Sequence, residues 1–261
     1  MPTLLGLGDT DLARRLIAGA AVRVDFLETG GPRAATAAGS GARLFVHNAV
    51  WNWSLAHPRA LDEPGVLSAT REILDRTAAP WLSVHLGFAS TRVAADGPMM
   101  VPRSPVLPRE AAQAAIARNA RALAAALPVP LLFENLDYWP SGAYEYISEP
   151  GFITDVLEAA GTGFLLDLAH ARVAAARLSL PIDEYLARLP LGRVRAVHVS
   201  GPRMRDGVLL DEHEPLSAED DRLLRTVLDA AQPAAVTFEY HGTDPDAVRR
   251  ELPRLRSLLE G

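Results

Sequence analysis

Short apolar runs alternate with longer amphipathic segments along most of this 261-residue chain. Eight of the runs are candidate strands, and several of them are continuously apolar, which is typical of parallel strands that are covered on both faces. The predicted strands are residues 4–8, 22–28, 43–48, 81–88, 130–137, 163–168, 193–200 and 234–240.

Segments rich in alanine and leucine, with apolar positions at helical spacing, separate these strands. The predicted helices are residues 9–19, 64–79, 108–127, 150–160, 181–189, 217–232 and 244–260, and residues 30–42 form either a short helix or a loop. This alternation predicts an α/β fold, a single (β/α)8 TIM barrel over residues 1–261. A doubly wound open sheet is the alternative, but no G-x-G-x-x-G fingerprint follows a strand.

Histidines recur where the apolar runs end, and most have a carboxylate within three residues. The histidines are His47, His85, His170, His198, His213 and His241, and the carboxylates are Glu134, Asp167, Asp211 and Glu239. If the strands are parallel, their carboxyl ends meet at one end of the barrel, where loops of residues 89–107 and 137–148 are also expected. The pattern therefore predicts a metal site with several ions.

Composition limits the chemistry of such a site. The chain has no cysteine, so a metal must be held by imidazole and carboxylate, which favours iron, manganese or zinc. A net charge of −6 argues against nucleic acid as the main partner. No apolar stretch is long enough for a membrane span, and residues 1–6 do not resemble a secretion signal, so a cytoplasmic protein is expected.

The number of candidate ligands exceeds the three protein ligands that a single catalytic zinc or facial-triad iron takes. A carboxylate such as Glu134 could bridge two ions through its two oxygens. Each residue alone also has a structural interpretation, since a strand-end histidine is often a hydrogen-bonded core residue and Asp167 could cap a helix. Glu28, at the end of the second strand, is expected to form a salt bridge rather than to bind metal, and His57 is expected at the surface.

Seven segments together resemble the multinuclear non-heme iron-dependent oxidases, a family long known only as a domain of unknown function. The resemblance covers about residues 6–240 and rests on LFVH at 44–47, SVHL at 83–86, FEN at 133–135, LLD at 165–167, VHVSG at 197–201, LDEH at 210–213 and TFE at 237–239. It implies a barrel of the xylose-isomerase-like type.

The resemblance also implies ligand sets for two or three iron ions of mixed valence. His47, His85 and Glu134 match one set, while Glu134 also joins the second set, with Asp167, His198 and Glu239. Asp211 and His213 match a third site. We expect Glu134, His198 and Glu239 to take part in the chemistry.

Two positions depart from the family pattern. His170 stands where the family usually has asparagine, and His241 stands where it usually has an acidic residue. Both changes add imidazole in place of oxygen, so both histidines are further candidate ligands, and they leave the metal and the occupancy of the third site open.

The activity that the resemblance implies is an oxidation with O2 of a side chain, often cysteine, in a ribosomally made precursor peptide. A small partner protein that binds the leader of the peptide is expected. The alternative is a divalent-metal sugar or sugar-phosphate isomerase or epimerase, with Arg203 and Arg205 as anchors for the substrate. A metal-dependent phosphodiesterase and a non-catalytic metal-binding barrel are weaker alternatives.

Overall fold

Eight parallel strands form a closed barrel in the computed structural model, which describes residues 2–37, 41–48, 54–62, 65–97 and 99–261. The barrel strands are β1 (Leu4–Gly8), β2 (Phe26–Thr29), β3 (Leu44–His47), β4 (Leu82–His85), β5 (Leu131–Glu134), β6 (Gly163–Asp167), β7 (Val194–Val199) and β8 (Ala235–Phe238). They are hydrogen-bonded in chain order, and β8 closes on β1. The predicted (β/α)8 barrel is confirmed, with all eight strands at the predicted places.

Helices cover the outside of the barrel. They are α1 (Asp11–Ala18), α2 (Gly31–Ala37), α3 (Val66–Thr77), α4 (Arg109–Ala126), α5 (Pro150–Ala160), α6 (Leu168–Arg177), α7 (Ile182–Ala187), α8 (Ala218–Ala231) and α9 (Pro245–Glu260). Their starts follow local chemistry: Thr10 caps α1, and Ser217 and Asp220 form a capping box at α8. The segment 30–42 contains the short helix α2, and the predicted start of α3 at residue 64 lies outside the described residues.

Three features differ from the sequence prediction. Helix α6 was not predicted, because residues on nearly all its sides are buried and its sequence shows no polar face. The expected loop at 89–107 contains an antiparallel hairpin, Val93–Asp96 and Met99–Pro102. A second hairpin, Gly201–Arg205 and Val208–Glu214, follows β7, so Asp211 and His213 lie on this hairpin rather than on a barrel strand.

The interior of the barrel is built in layers. An apolar layer includes Phe26, Phe45, Leu132, Leu165, Ala196 and Ala235. The Phe26 and Phe45 rings stack 3.9 Å apart, and Gly6 makes room for them, since a Cβ there would lie 2.2 Å from the Phe26 ring. Alternate residues of a strand face the same side. The residues two positions further along these strands are therefore polar neighbours in the next layer: Glu28, His47, Glu134, Asp167, His198 and Thr237.

Within the described part of the chain, no helix combines the length and the apolar character needed to cross a bilayer.

Candidate metal centre

Ten carboxylate and imidazole residues meet at the carboxyl end of the barrel, and we call them the central cluster. They are Glu28, His47, His85, Glu134, Asp167, His170, His198, Asp211, His213 and Glu239. Strand register brings several of them side by side. His85 on β4 pairs with Glu134 on β5, and Asp167 on β6 pairs with His198 on β7.

Glu134 is the centre of the cluster and is 1% exposed. Its Oε2 lies 3.0 Å from Nε2 of His47 and 3.2 Å from Nε2 of His85. Its Oε1 lies 3.3 Å from Nδ1 of His198 and 3.5 Å from Nδ1 of His170. The two oxygens therefore face two different groups of imidazoles, which is the arrangement expected of a bridging carboxylate.

The spacing of these atoms fits a metal site. Two ligand atoms bound to one ion at about 2.1 Å lie roughly 3.0 to 3.4 Å apart, the edge of an octahedron or a tetrahedron. The contacts of Glu134 with His47, His85 and His198 fall in this range. Atoms of His47, His85 and Glu134 lie within 4.8 Å of one another, and so do atoms of Glu134, Asp167 and His198.

Three atoms of the central cluster lack a hydrogen-bond partner although they are buried. They are Oε2 of Glu134, Oδ2 of Asp167 and Nδ1 of His198, and no described residue bonds to them. A buried polar atom without a partner is costly. These three atoms are therefore suitable ligands for a bound cation. Imidazole nitrogen and carboxylate oxygen are ligands that suit iron, manganese or zinc.

Hydrogen bonds fix which nitrogen of His47 is unprotonated and faces the cluster. Oδ1 of Asn48 accepts the backbone N–H of His85, so its amide nitrogen is the atom 2.6 Å from Nε2 of His47. Nδ1 of His47 then donates to Oγ of Ser83 at 3.0 Å, so Nε2 is the unprotonated nitrogen, which accepts the amide N–H of Asn48 and lies 3.0 Å from Oε2 of Glu134. An unprotonated nitrogen on the cluster side is what a metal-bound histidine needs, and a bound ion would take the place of the Asn48 hydrogen bond.

His170 reaches the cluster from the first turn of α6, not from a strand. Asp167 caps this helix, because its Oδ1 accepts the backbone N–H of His170 at 2.7 Å. Nδ1 of His170 donates to the carbonyl oxygen of Asn135 at 2.9 Å, which leaves Nε2 3.3 Å from Oδ2 of Asp211. The capping role expected for Asp167 as an alternative to ligation is thus compatible with ligation, since Oδ2 remains without a partner.

The second hairpin supplies the outer part of the cluster. Oδ2 of Asp211 lies 3.3 Å from Nδ1 of His213, and Nε2 of His213 lies 3.5 Å from Oε2 of Glu239. His213 has a φ of 51°, a left-handed conformation that few residues other than glycine adopt. Oγ of Ser200, at the end of β7, donates to Oδ1 of Asp211 at 3.0 Å and ties the hairpin to the barrel.

His241 lies apart from these contacts. It is exposed, and its ring stacks on His213 with 4.0 Å between centroids and 8° between planes. Partial desolvation of the ring against its neighbours and the charge of His213 lower the pKa of His241. Its ring lies over His213 and lines the same cavity as the cluster.

Charge shapes the protonation of the cluster. Burial alone would raise the pKa of Glu134, but His47 and His85 hold it well below its usual range. Burial raises the pKa of Asp167 to about 7. Burial lowers the pKa of His213, but Glu239 and Asp211 outweigh burial and raise that pKa to about 9. The cluster therefore binds protons readily when it holds no cation.

Glu28 is a member of the central cluster that the sequence interpretation did not count among the candidate ligands. It is 6% exposed, and its Oε1 lies 2.6 Å from Nε2 of His198, inside the barrel and not at a surface salt bridge. The available signal was its place two residues after Phe26, which is the spacing that also separates Phe45 from His47.

A cavity of about 530 Å³ opens onto the cluster. One wall is largely apolar and includes Leu55, Phe88, Met100, Leu136, Trp139 and Tyr144. Asp137 also lines it and accepts a hydrogen bond from Nε1 of Trp139 at 2.6 Å, while burial raises its pKa. The loop 137–148 thus contributes Trp139 and Tyr144 to this wall.

Solved structures of xylose-isomerase-like enzymes share this fold. A D-tagatose 3-epimerase-like protein matches with a TM-score of 0.67 and 13% identity over 99% of this chain and 97% of its own. A xylose isomerase-like TIM barrel protein from Mycobacterium smegmatis, solved in complex with magnesium, matches with a TM-score of 0.61 and 12% identity over 99% and 96%. At such identities the likeness shows the fold alone.

Relatives found by sequence have a higher identity to the chain than these solved structures. UPF0276 proteins from Streptomyces avermitilis and Bordetella bronchiseptica are both 28% identical to the chain, over 76% and 74% of its length. The matched stretch spans 42% of the length of the Streptomyces protein and 68% of the Bordetella protein. The model of the RiPP precursor modification enzymes MbnB/TglH/ChrH matches residues 26–259. The chain therefore belongs to the MbnB/TglH/ChrH family of RiPP precursor modification enzymes.

Proposed function

We propose that this protein is a multinuclear non-heme iron-dependent oxidase that uses O2 to modify a side chain, often cysteine, of a ribosomally synthesised precursor peptide. The observation that supports it most is the buried group of Glu134, Asp167 and His198, each with a donor atom that no described residue satisfies. Family membership supports the peptide as substrate. A leader-binding partner protein, a cytoplasmic location and one barrel domain over residues 1–261 are part of the proposal.

In this proposal the cluster holds two ions that share Glu134. His47 and His85 complete one site, and Asp167, His198 and Glu239 complete the other. Nδ1 of His198 lies 3.4 Å from Oε1 of Glu239, within reach of a common ion. Iron bound here would supply the one-electron redox steps and the binding of O2 that the side chains cannot provide.

Asp211 and His213 form a third site in the same proposal, with His170 in place of the usual asparagine. Nε2 of His170 and Nδ1 of His213 both lie 3.3 Å from Oδ2 of Asp211, so this oxygen could meet both imidazoles at one ion. We do not extend the third site to His241, because its exposed ring only covers His213.

The chain's own residues bind the peptide and handle its protons. The apolar wall with Trp139 and Tyr144 would pack against the peptide and exclude water. Asp137 faces the same cavity with a raised pKa, which suits a group that takes up the proton of the reacting side chain. Each two-electron oxidation removes two hydrogens from the side chain and reduces O2 to hydrogen peroxide. After a second such oxidation, the same O2 is reduced to two waters.

Metal analysis of anaerobically purified protein tests this proposal. Two or more irons per chain, mixed valence by Mössbauer spectroscopy, and O2 consumption with a cysteine-bearing precursor peptide are the expected results. One zinc or manganese per chain without O2 consumption would contradict the proposal. Peptides encoded beside the gene are the substrates to test first.

The second candidate is a divalent-metal sugar isomerase or epimerase. Its support is the shared fold with sugar epimerases and the pair Glu134 and Glu239, either of which could remove a proton from carbon. Epimerisation of ketoses by protein loaded with manganese or magnesium, without any need for O2, would favour this candidate over the oxidase.

A further inference from the structure

Glu28 is a carboxylate buried beneath the metal centre, and both of its oxygens are occupied. Its Oε1 lies 2.6 Å from Nε2 of His198, and its Oε2 accepts the hydroxyl of Thr237 at 2.6 Å. His198 is fully buried and Thr237 is 1% exposed. The three side chains come from β2, β7 and β8, so the contact is built into the barrel rather than into a loop.

The short contact determines the tautomer of His198. A carboxylate only accepts hydrogen bonds, so Nε2 must carry the proton that it donates to Glu28. In the neutral ring the lone pair then resides on Nδ1, the atom that faces Glu134 and Glu239 at 3.3 and 3.4 Å.

Glu28 itself is poorly placed as a ligand. Atoms of Glu28, His47 and His198 lie within 4.8 Å of one another, which would by itself allow an ion between them. However, 2.6 Å between Glu28 and His198 is a strong hydrogen bond, and it is shorter than the roughly 3.0 Å that separates two ligands of one ion.

We propose that Glu28 is a positioning residue of the metal centre, which holds His198 as an Nδ1 ligand, strengthens its basicity and is itself aligned by Thr237. The inference rests on the metal centre of the proposed function. A carboxylate behind a ligating histidine typically changes metal affinity 10- to 100-fold.

The test is Glu28→Gln, which keeps the shape of the side chain and removes its charge. Metal-free protein is titrated anaerobically with Fe(II) against a chelator, and Mössbauer spectra report the environment of each iron. We expect one class of iron to bind about 10- to 100-fold more weakly with an altered spectrum. The class that includes His47 and His85 should bind as in the unchanged protein.

Glu251→Gln is the matched control, because Glu251 is also 6% exposed and pairs with Arg254 on α9. Thr237→Val keeps Glu28 but removes the hydrogen bond to its Oε2. This variant should weaken the binding of the same class of iron by a smaller factor. Equal Fe(II) affinity and spectra in Glu28→Gln and the unchanged protein would overturn the inference while the metal centre stands. If Glu28→Gln fails to fold, unchanged iron binding in Thr237→Val overturns it instead. Absence of iron binding in the unchanged protein would instead contradict the proposed function.

Discussion

Glu134→Gln separates a bridging carboxylate from an ordinary ligand. The amide has nearly the same size, but it lacks the charge and offers one oxygen where the carboxylate offers two. In the structure, Oε2 faces His47 and His85 while Oε1 faces His198 and His170. The substitution should therefore weaken two ions at once.

A lower limit can be set on the loss of metal affinity that Glu134→Gln should cause. Removing an outer partner of a metal ligand already lowers affinity 10- to 100-fold. Losing an inner carboxylate that serves two ions should cost at least about 100-fold for each, or about 2.8 kcal/mol per ion. His213→Ala should weaken the binding of fewer ions, because His213 contacts only Asp211 and Glu239 within the cluster.

The assay is metal content per chain after anaerobic reconstitution with Fe(II) and removal of free metal. Glu134→Gln should lose the iron of both sites, whereas His213→Ala should lose at most one ion. Glu251→Gln controls for the loss of a buried carboxylate away from the cluster. Equal, partial losses in Glu134→Gln and His213→Ala would refute the bridging role.

Three further outcomes are expected. In metal-free protein, His213 contributes stability that is fully present below pH about 6.5 and lost as pH rises through about 9. Between pH 7 and 9, the free energy of unfolding from denaturant titrations should thus fall roughly 2 kcal/mol more than in His213→Asn. Asp137→Asn should lower turnover of the peptide at unchanged iron content. Unaltered turnover would contradict a role of Asp137 in accepting the proton of the substrate. His241→Ala should keep the full iron content, and loss of an iron would make His241 a ligand.

The barrel was predictable because each strand is a short apolar run that ends in polar residues. Strand ends from β3 to β6 matched to within a few residues, since burial on both faces leaves a clear pattern. Helix α6 was missed because it is buried on most sides, so the periodicity of an amphipathic helix is absent. Turn-forming residues in the segment 89–107 masked the first hairpin.

The site was predictable where a ligand ends a barrel strand, as His47, His85 and Glu134 do. Asp211 and His213 were found by residue type, but their position on a hairpin follows from tertiary packing that periodicity does not encode. Glu28 was expected to form a salt bridge at the end of the second strand, and its partner inside the barrel, His198, follows from strand packing that the sequence pattern does not show.

The charges of the central cluster indicate why it should hold more than one ion. Five carboxylates are gathered in it, namely Glu28, Glu134, Asp167, Asp211 and Glu239. As metal ligands the imidazoles are neutral, so one divalent ion would leave a large net negative charge in a buried site. Two or three divalent ions nearly balance five carboxylates. Without metal, protons take over this role, which is why the pKa values of His170 and His198 are raised well above their usual range despite burial. Metal binding should therefore release protons, and a measured proton release near zero would contradict this charge balance.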